Sequence, residues 1–192
     1  MRRTICTACV ITLAAIAPKA SAQTVNGSCW VQGERADLEL RASSFDSTTV
    51  QLGAGDVKVC FSRPRALGRP IMGRLVPFGR PWRMGADEAT SILLPARARI
   101  AGLSLEPGWY SLYAIPGERE WQIVINADVR RWGTPIDPSV RARDIGSVTV
   151  PAETGTQMEE LLSLQFDRKG PDAADLVLRW ERTTLRIPVV LD

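Results

Sequence analysis

The chain contains no histidine. That absence excludes Ser-His-Asp and Cys-His catalysis and the usual histidine-ligated zinc and copper centres. Cysteine is scarce: of four, Cys6 and Cys9 fall within the first 22 residues. The remaining two cannot supply the four thiolates of a structural zinc or iron–sulfur site. No Walker-type phosphate loop and no Gly-x-Gly-x-x-Gly occur, and the acids lack EF-hand spacing. No metal or cofactor is therefore expected. Beyond the start of the chain no apolar run reaches the about 20 residues that a bilayer span needs. Carboxylates, arginines and tryptophans are left to carry any chemistry.

The first 22 residues read as a secretory signal peptide. Arg2 and Arg3 form a basic n-region, Ile5 to Ala17 an uncharged apolar run, and Ala20-Ser21-Ala22 a small-x-small cleavage site. A retained anchor is the other reading. Cleavage after Ala22 would place the mature chain in the periplasm or outside the cell. It would also remove Arg2, Arg3 and Lys19 and no acid, leaving 21 cations against 21 acids. The basic character of the whole sequence is then no sign of nucleic-acid binding. Nineteen of those 21 cations are arginine, the residue suited to planar, bidentate pairing with carboxylates.

About 170 mature residues make one domain with enough chain for a real core. Cys29 and Cys60 form an even pair in an exported chain, hence an expected disulfide, with two buried thiols as the alternative. Closing that loop would contribute roughly 3–4 kcal/mol in the chain-entropy model.

Period-2 alternation dominates the remainder. Residues 23–42 read as a polar arm followed by a first strand over 36–42, where Leu38 and Leu40 alternate with Asp37, Glu39 and Arg41. Further strands are expected at 48–52, 57–61, 89–94, 98–101, 109–115, 120–126, 145–150, 157–167, 174–181 and 185–191, with 103–105 leading into a turn. Residues 120–126 have an apolar middle that fits a strand covered on both faces. Pro151 is expected to stop the strand before it, and 128–138 reads as a loop. About ten short strands and no convincing helix predict an all-β protein, an antiparallel β-sandwich occupying 43–192 as a single domain.

Residues 61–90 are the exception to the pattern. They hold Arg63, Arg65, Arg69, Arg74, Arg80 and Arg83 before their first acid, Asp87, with four prolines, four glycines and Trp82. This is a long structured loop, too interrupted for a helix and too apolar for a linker. Arg63, Arg69, Trp82, Arg83 and Glu88 are the candidate ligand-binding residues. An arginine fork could meet a carboxylate or sulfate while an indole covers a sugar or aromatic face. The alternative is internal: Arg83 buried and bonded to a carboxylate, with Glu88 the leading candidate.

The runs Ser62-Arg63-Pro64, Gly68-Arg69, Gly73, Leu75-Val76-Pro77, Gly79, Trp82-Arg83, Gly85-Ala86, Glu88-Ala89-Thr90, Tyr110-Ser111-Leu112, Ile115-Pro116-Gly117, Trp121 and Asn126 resemble a family of exported bacterial proteins catalogued as domain of unknown function 2911. The closing Leu176-x-Leu178-Arg179-Trp180 fits as well. The resemblance covers nearly all of 43–192 and implies a β fold without an activity. Phe61 and Phe78 stand where the family commonly has tyrosine, and Asp87 where it has asparagine.

Three functions stay open. One is a ligand-binding or interaction module with an arginine- and tryptophan-lined cleft, taking a small anionic or carbohydrate ligand. Another is a glycan hydrolase working through a carboxylate pair. The third is a structural envelope protein. Asp87 and Glu88 would point to opposite faces of a strand and so do not make the pair a hydrolase needs.

Overall fold

The computed structural model describes residues 27–53 and 55–192. The expected signal peptide at 1–22, the first residues of the arm and Ala54 lie outside the described residues. Nine strands follow in chain order: β1 (Ser44–Leu52), β2 (Gly55–Arg63), β3 (Ala86–Leu94), β4 (Ala98–Ile100), β5 (Leu103–Leu105), β6 (Gly108–Pro116), β7 (Glu120–Asn126), β8 (Asp144–Arg168) and β9 (Ala173–Leu191). They form one antiparallel sheet in the order β1-β2-β3-β6-β7-β8-β9-β4-β5. One four-residue helix, α1 (Pro138–Arg141), lies in the connection read as a loop, with Asp137 as its N-cap.

Two strands are longer than expected, and they fold the sheet into a sandwich-like pair of layers. Residues 145–150 and 157–167 belong to the single strand β8, and 174–181 and 185–191 to β9. Pro151 does not end β8. It sits opposite Glu120 at the last β7 pairing, and Ala152 then begins the pairing with β9 opposite Leu185. A proline without a donor is tolerated where one ladder is exchanged for another. Register slips between Thr154, Glu159 and Ser163 bend the strand there. Glu181 of β9, opposite Glu159, turns through φ 55°.

The seam between the layers is closed by the chain just after β2. Leu162 N–H donates to Pro64 O at 3.0 Å, and Ala66 N–H donates to Glu160 O at 2.8 Å. The Arg63 guanidinium adds a bond to Leu162 O and pairs with Asp46 at 3.1 Å. Between the layers lies a core of Leu52, Val59, Ile92, Leu112, Ile123, Leu164, Leu178 and Ile187, all buried. Trp82 completes it. Its ring stacks on Trp180 at 5.9 Å and meets Trp121 edge-on at 5.7 Å, both favoured aromatic geometries.

The strand expected at 36–42 is instead a 3-10 turn, Arg35–Leu40, with no buried residue. Two leucines in alternation are a weak signal without a neighbouring strand to pair with, and Leu40 is left exposed.

Candidate functional site

The other face of the first layer carries polar side chains where a sandwich would show solvent. Cys60, Ser91, Ser111 and Asn126 are successive cross-strand partners over β2, β3, β6 and β7, so they form one row on one face. All four are buried. Two irregular segments cover them, the arm 27–41 and the connection 127–143 after β7. This explains why the end of β7, Ile123–Asn126, is buried on both faces.

Each cover is fastened by a specific residue. The Cys29–Cys60 disulfide, with Cα atoms 5.9 Å apart, ties the arm to β2. Asn126 holds the connection: its amide donates to Val140 O and to Asp144 Oδ1, and its carbonyl accepts from Asp128 N–H, each at 2.7 Å. Tyr113 donates to Asp144 Oδ2 at 2.7 Å. Burial, then that bond to a carboxylate, pushes the Tyr113 phenol up to about 12.

Glu88 joins arm and sheet. Its carboxylate accepts two bonds of 2.7 Å from Arg41 Nη1 and one of 2.9 Å from Gln32 N–H. The Glu88 side chain is 4% exposed and that of Arg41 15%. The Arg41 guanidinium also lies 5.6 Å from the centre of the Trp132 ring, a cation–π contact that brings in the second cover.

The expected Arg83–Glu88 pair is therefore not formed. Arg41, from the arm, occupies the carboxylate first. Arg83 instead donates to Gly85 O at 3.2 Å and Thr134 Oγ1 at 3.0 Å, both neutral acceptors. Burial pulls its guanidinium below the ordinary range, and Asp87 offsets this only in part. Gly133 allows the approach: a Cβ there would meet Arg83 Cδ and Asp87 O. Trp82 and Arg83 point to opposite sides, the indole into the core and the guanidinium under the connection. Arg69 caps the carbonyls of Ala66 and Arg65 and makes no carboxylate pair among the described residues. The five candidate residues thus do not line one pocket.

Asp87 is the strained member of this region. It takes φ 56°, and its Oδ2 is buried without a partner among the described residues. Burial, and the neighbouring Glu88 carboxylate after it, push its pKa above the ordinary carboxylate range against the pull of Arg41 and Arg83. Arg131 is similar. One end donates to the carbonyls of Trp132 and Gly133, while Nε and Nη2 are buried with no partner among the described residues.

Where the two covers meet over β6 they leave a cleft of 480 Å³. Ser28 and Trp30 line it from the arm, Trp109 from β6, and Ala127, Asp128, Val129 and Arg130 from the connection. The sequence pattern did not single out these residues. The one available signal was Trp30, which must follow Cys29 to wherever the disulfide takes it.

No characterised protein and no solved structure matches the chain. The model of the family described as "Protein of unknown function (DUF2911)" matches residues 43–189, from just before β1 to within β9 and not the arm at 27–41, and the chain belongs to that family.

Proposed function

We propose that this protein is an exported ligand-binding module whose cleft takes a saccharide bearing a carboxylate or sulfate. The observation that carries the reading is the lining of the cleft: two indoles, one guanidinium and one carboxylate around an open space of 480 Å³. Indole faces suit the apolar face of a sugar ring, the Arg130 fork suits an oxyanion, and Asp128 can accept from hydroxyls. Few polar groups converging in a mostly apolar cleft is the usual form of a small-molecule site. The start of the sequence and the Cys29–Cys60 disulfide support export, since disulfides persist in oxidising compartments.

The hydrolase reading has less support. Two carboxyls about 5–9.5 Å apart must flank the scissile bond, and Asp128 is the one carboxylate lining this cleft. Asp87 has the raised pKa of a general acid, but its neighbour Glu88 is already paired with Arg41.

Tryptophan emission titrated with neutral, uronic and sulfated saccharides tests the reading. Trp30→Ala or Trp109→Ala is expected to weaken binding by about tenfold or more, the weight of an aromatic anchor. Arg130→Ala is expected to weaken the acidic ligands selectively, and thermal unfolding shows whether each variant is folded. No response to any of these ligands would sink the proposal.

A further inference from the structure

We propose that the loop between β2 and β3 is a docking surface for the anionic face of a phospholipid bilayer. This surface is separate from the cleft, and its argument does not depend on it. From Ser62 to Ala86 the loop contains no acid. Three of its large apolar side chains face solvent: Leu67 at 66%, Leu75 at 47% and Phe78 at 40% exposure. Each has an arginine within two residues, Arg69, Arg74 and Arg80 respectively. Arg69 is turned onto backbone carbonyls. Among the described residues neither Arg74 nor Arg80 has a carboxylate partner.

The loop is rigid, and its two turns spring from one place. In the first, Arg69 N–H closes on Ala66 O, with Leu67 at the tip. In the second, Arg74 N–H and Val76 N–H both close on Ile71 O, with Leu75 near the tip. Glu160 anchors the first turn, accepting from Ala66 N–H at its carbonyl and from Leu67 N–H at its carboxylate. Glu181 anchors the second, accepting from Ile71 and Met72 N–H. Glu181 pairs across the ladder with Glu159, the neighbour of Glu160. Phe78 lies against Gly73, where φ is 78° and a side chain would collide with its ring.

Fixed turns with apolar tips and flanking arginines match the interfacial zone of a membrane. Leucine and phenylalanine can enter the acyl boundary while arginines reach the phosphates. An acidic polypeptide would satisfy the arginines but leave the exposed side chains of Leu67, Leu75 and Phe78 uncovered. Carboxylates engaged by backbone N–H groups at the root of the loop leave its outer surface positive, complementary to anionic headgroups.

Vesicle co-sedimentation tests this, using the chain from Gln23 onward, which keeps every described residue and omits the apolar leader. Binding is expected to phosphatidylcholine vesicles containing phosphatidylglycerol and not to phosphatidylcholine alone, and to fall with salt. Arg74→Gln with Arg80→Gln should weaken it by on the order of tenfold or more, at about a fivefold effect per arginine. Leu67→Ser with Leu75→Ser should weaken it at constant salt dependence. Unchanged thermal unfolding of these exposed-site variants keeps the comparison fair. Binding unaffected by either double variant overturns the proposal. So does binding to polyglutamate without binding to vesicles, which would assign the surface to an acidic polypeptide.

Discussion

Adjacent residues Asp87 and Glu88 meet opposite fates, and the difference is local. Glu88 is buried but holds three hydrogen bonds. Asp87 has one carboxylate oxygen buried and unpartnered. Removing the partner of a buried charge costs about 3–5 kcal/mol. Arg41→Ala should therefore destabilise by that amount in urea unfolding. Arg83→Ala loses hydrogen bonds to neutral acceptors and an unbonded attraction to Asp87, and should cost about 1–2 kcal/mol. Equal losses in the two variants would contradict this assignment. Asp87 carries a pH prediction as well. Its pKa is raised in the folded protein, so the folded state is favoured while the group is protonated. That advantage is lost as pH rises from the ordinary value of 3.8 through the raised one. Asp87→Asn removes the charge, and asparagine tolerates the positive φ better. The variant should unfold at higher urea than the parent at pH 7, with the charge part of the gain vanishing below pH 3.8. A gain independent of pH would assign the whole effect to the backbone.

At the scale of elements, strands were legible because they alternate. Residues 48–52, 89–94, 109–115 and 120–126 all lie within observed strands, since each must bury at least one apolar face. The joins were harder to read. A bulged strand that changes partners resembles two strands separated by a turn, as around Pro151 and Glu181. The arm was misread because its structure depends on fastening rather than on periodicity: a disulfide at Cys29, a carboxylate at Glu88, and no buried apolar side chain between 35 and 40. Glu88 was picked out as part of the site, but its partner could not be. Arg41 lies 47 residues away in sequence, and nothing in local pattern favours it over Arg83. The arm's dependence on its fastenings is testable. Cys29→Ser with Cys60→Ser opens a loop of 31 residues and should cost roughly 3–4 kcal/mol. Trp30 would lose its tether, so ligand-induced change in tryptophan emission should fall with stability, and proteolysis should begin within 27–41. Peptide mapping of the parent should give a cross-linked Cys29–Cys60 peptide and an N-terminus at Gln23. An uncleavable arm in the double variant would show that Glu88 and Arg41 suffice.

For the whole molecule, charge balance and charge placement are different matters. The chain after Ala22 carries equal numbers of cations and acids, yet its charges are not evenly disposed. Three glutamates serve as anchors for irregular chain: the buried Glu88 for the arm, and the half-buried Glu160 and Glu181 for the two turns of the long loop. Each accepts backbone N–H bonds that no strand partner could supply, and unpaired buried N–H groups would otherwise cost about 1–3 kcal/mol each. Glu160 and Glu181 are engaged at the root of the long loop, whereas Arg74 and Arg80 are exposed along it. The same device thus gives irregular segments a fixed shape and leaves the long loop positive in a neutral chain. A long-range field depends on placement of charge rather than its sum. The cleft and the loop accordingly have different origins. The cleft exists because the arm and the 127–143 connection are fastened over a polar row on one face. The loop keeps its form because carboxylates at the bend of β8 and β9 hold it at the seam of the sandwich.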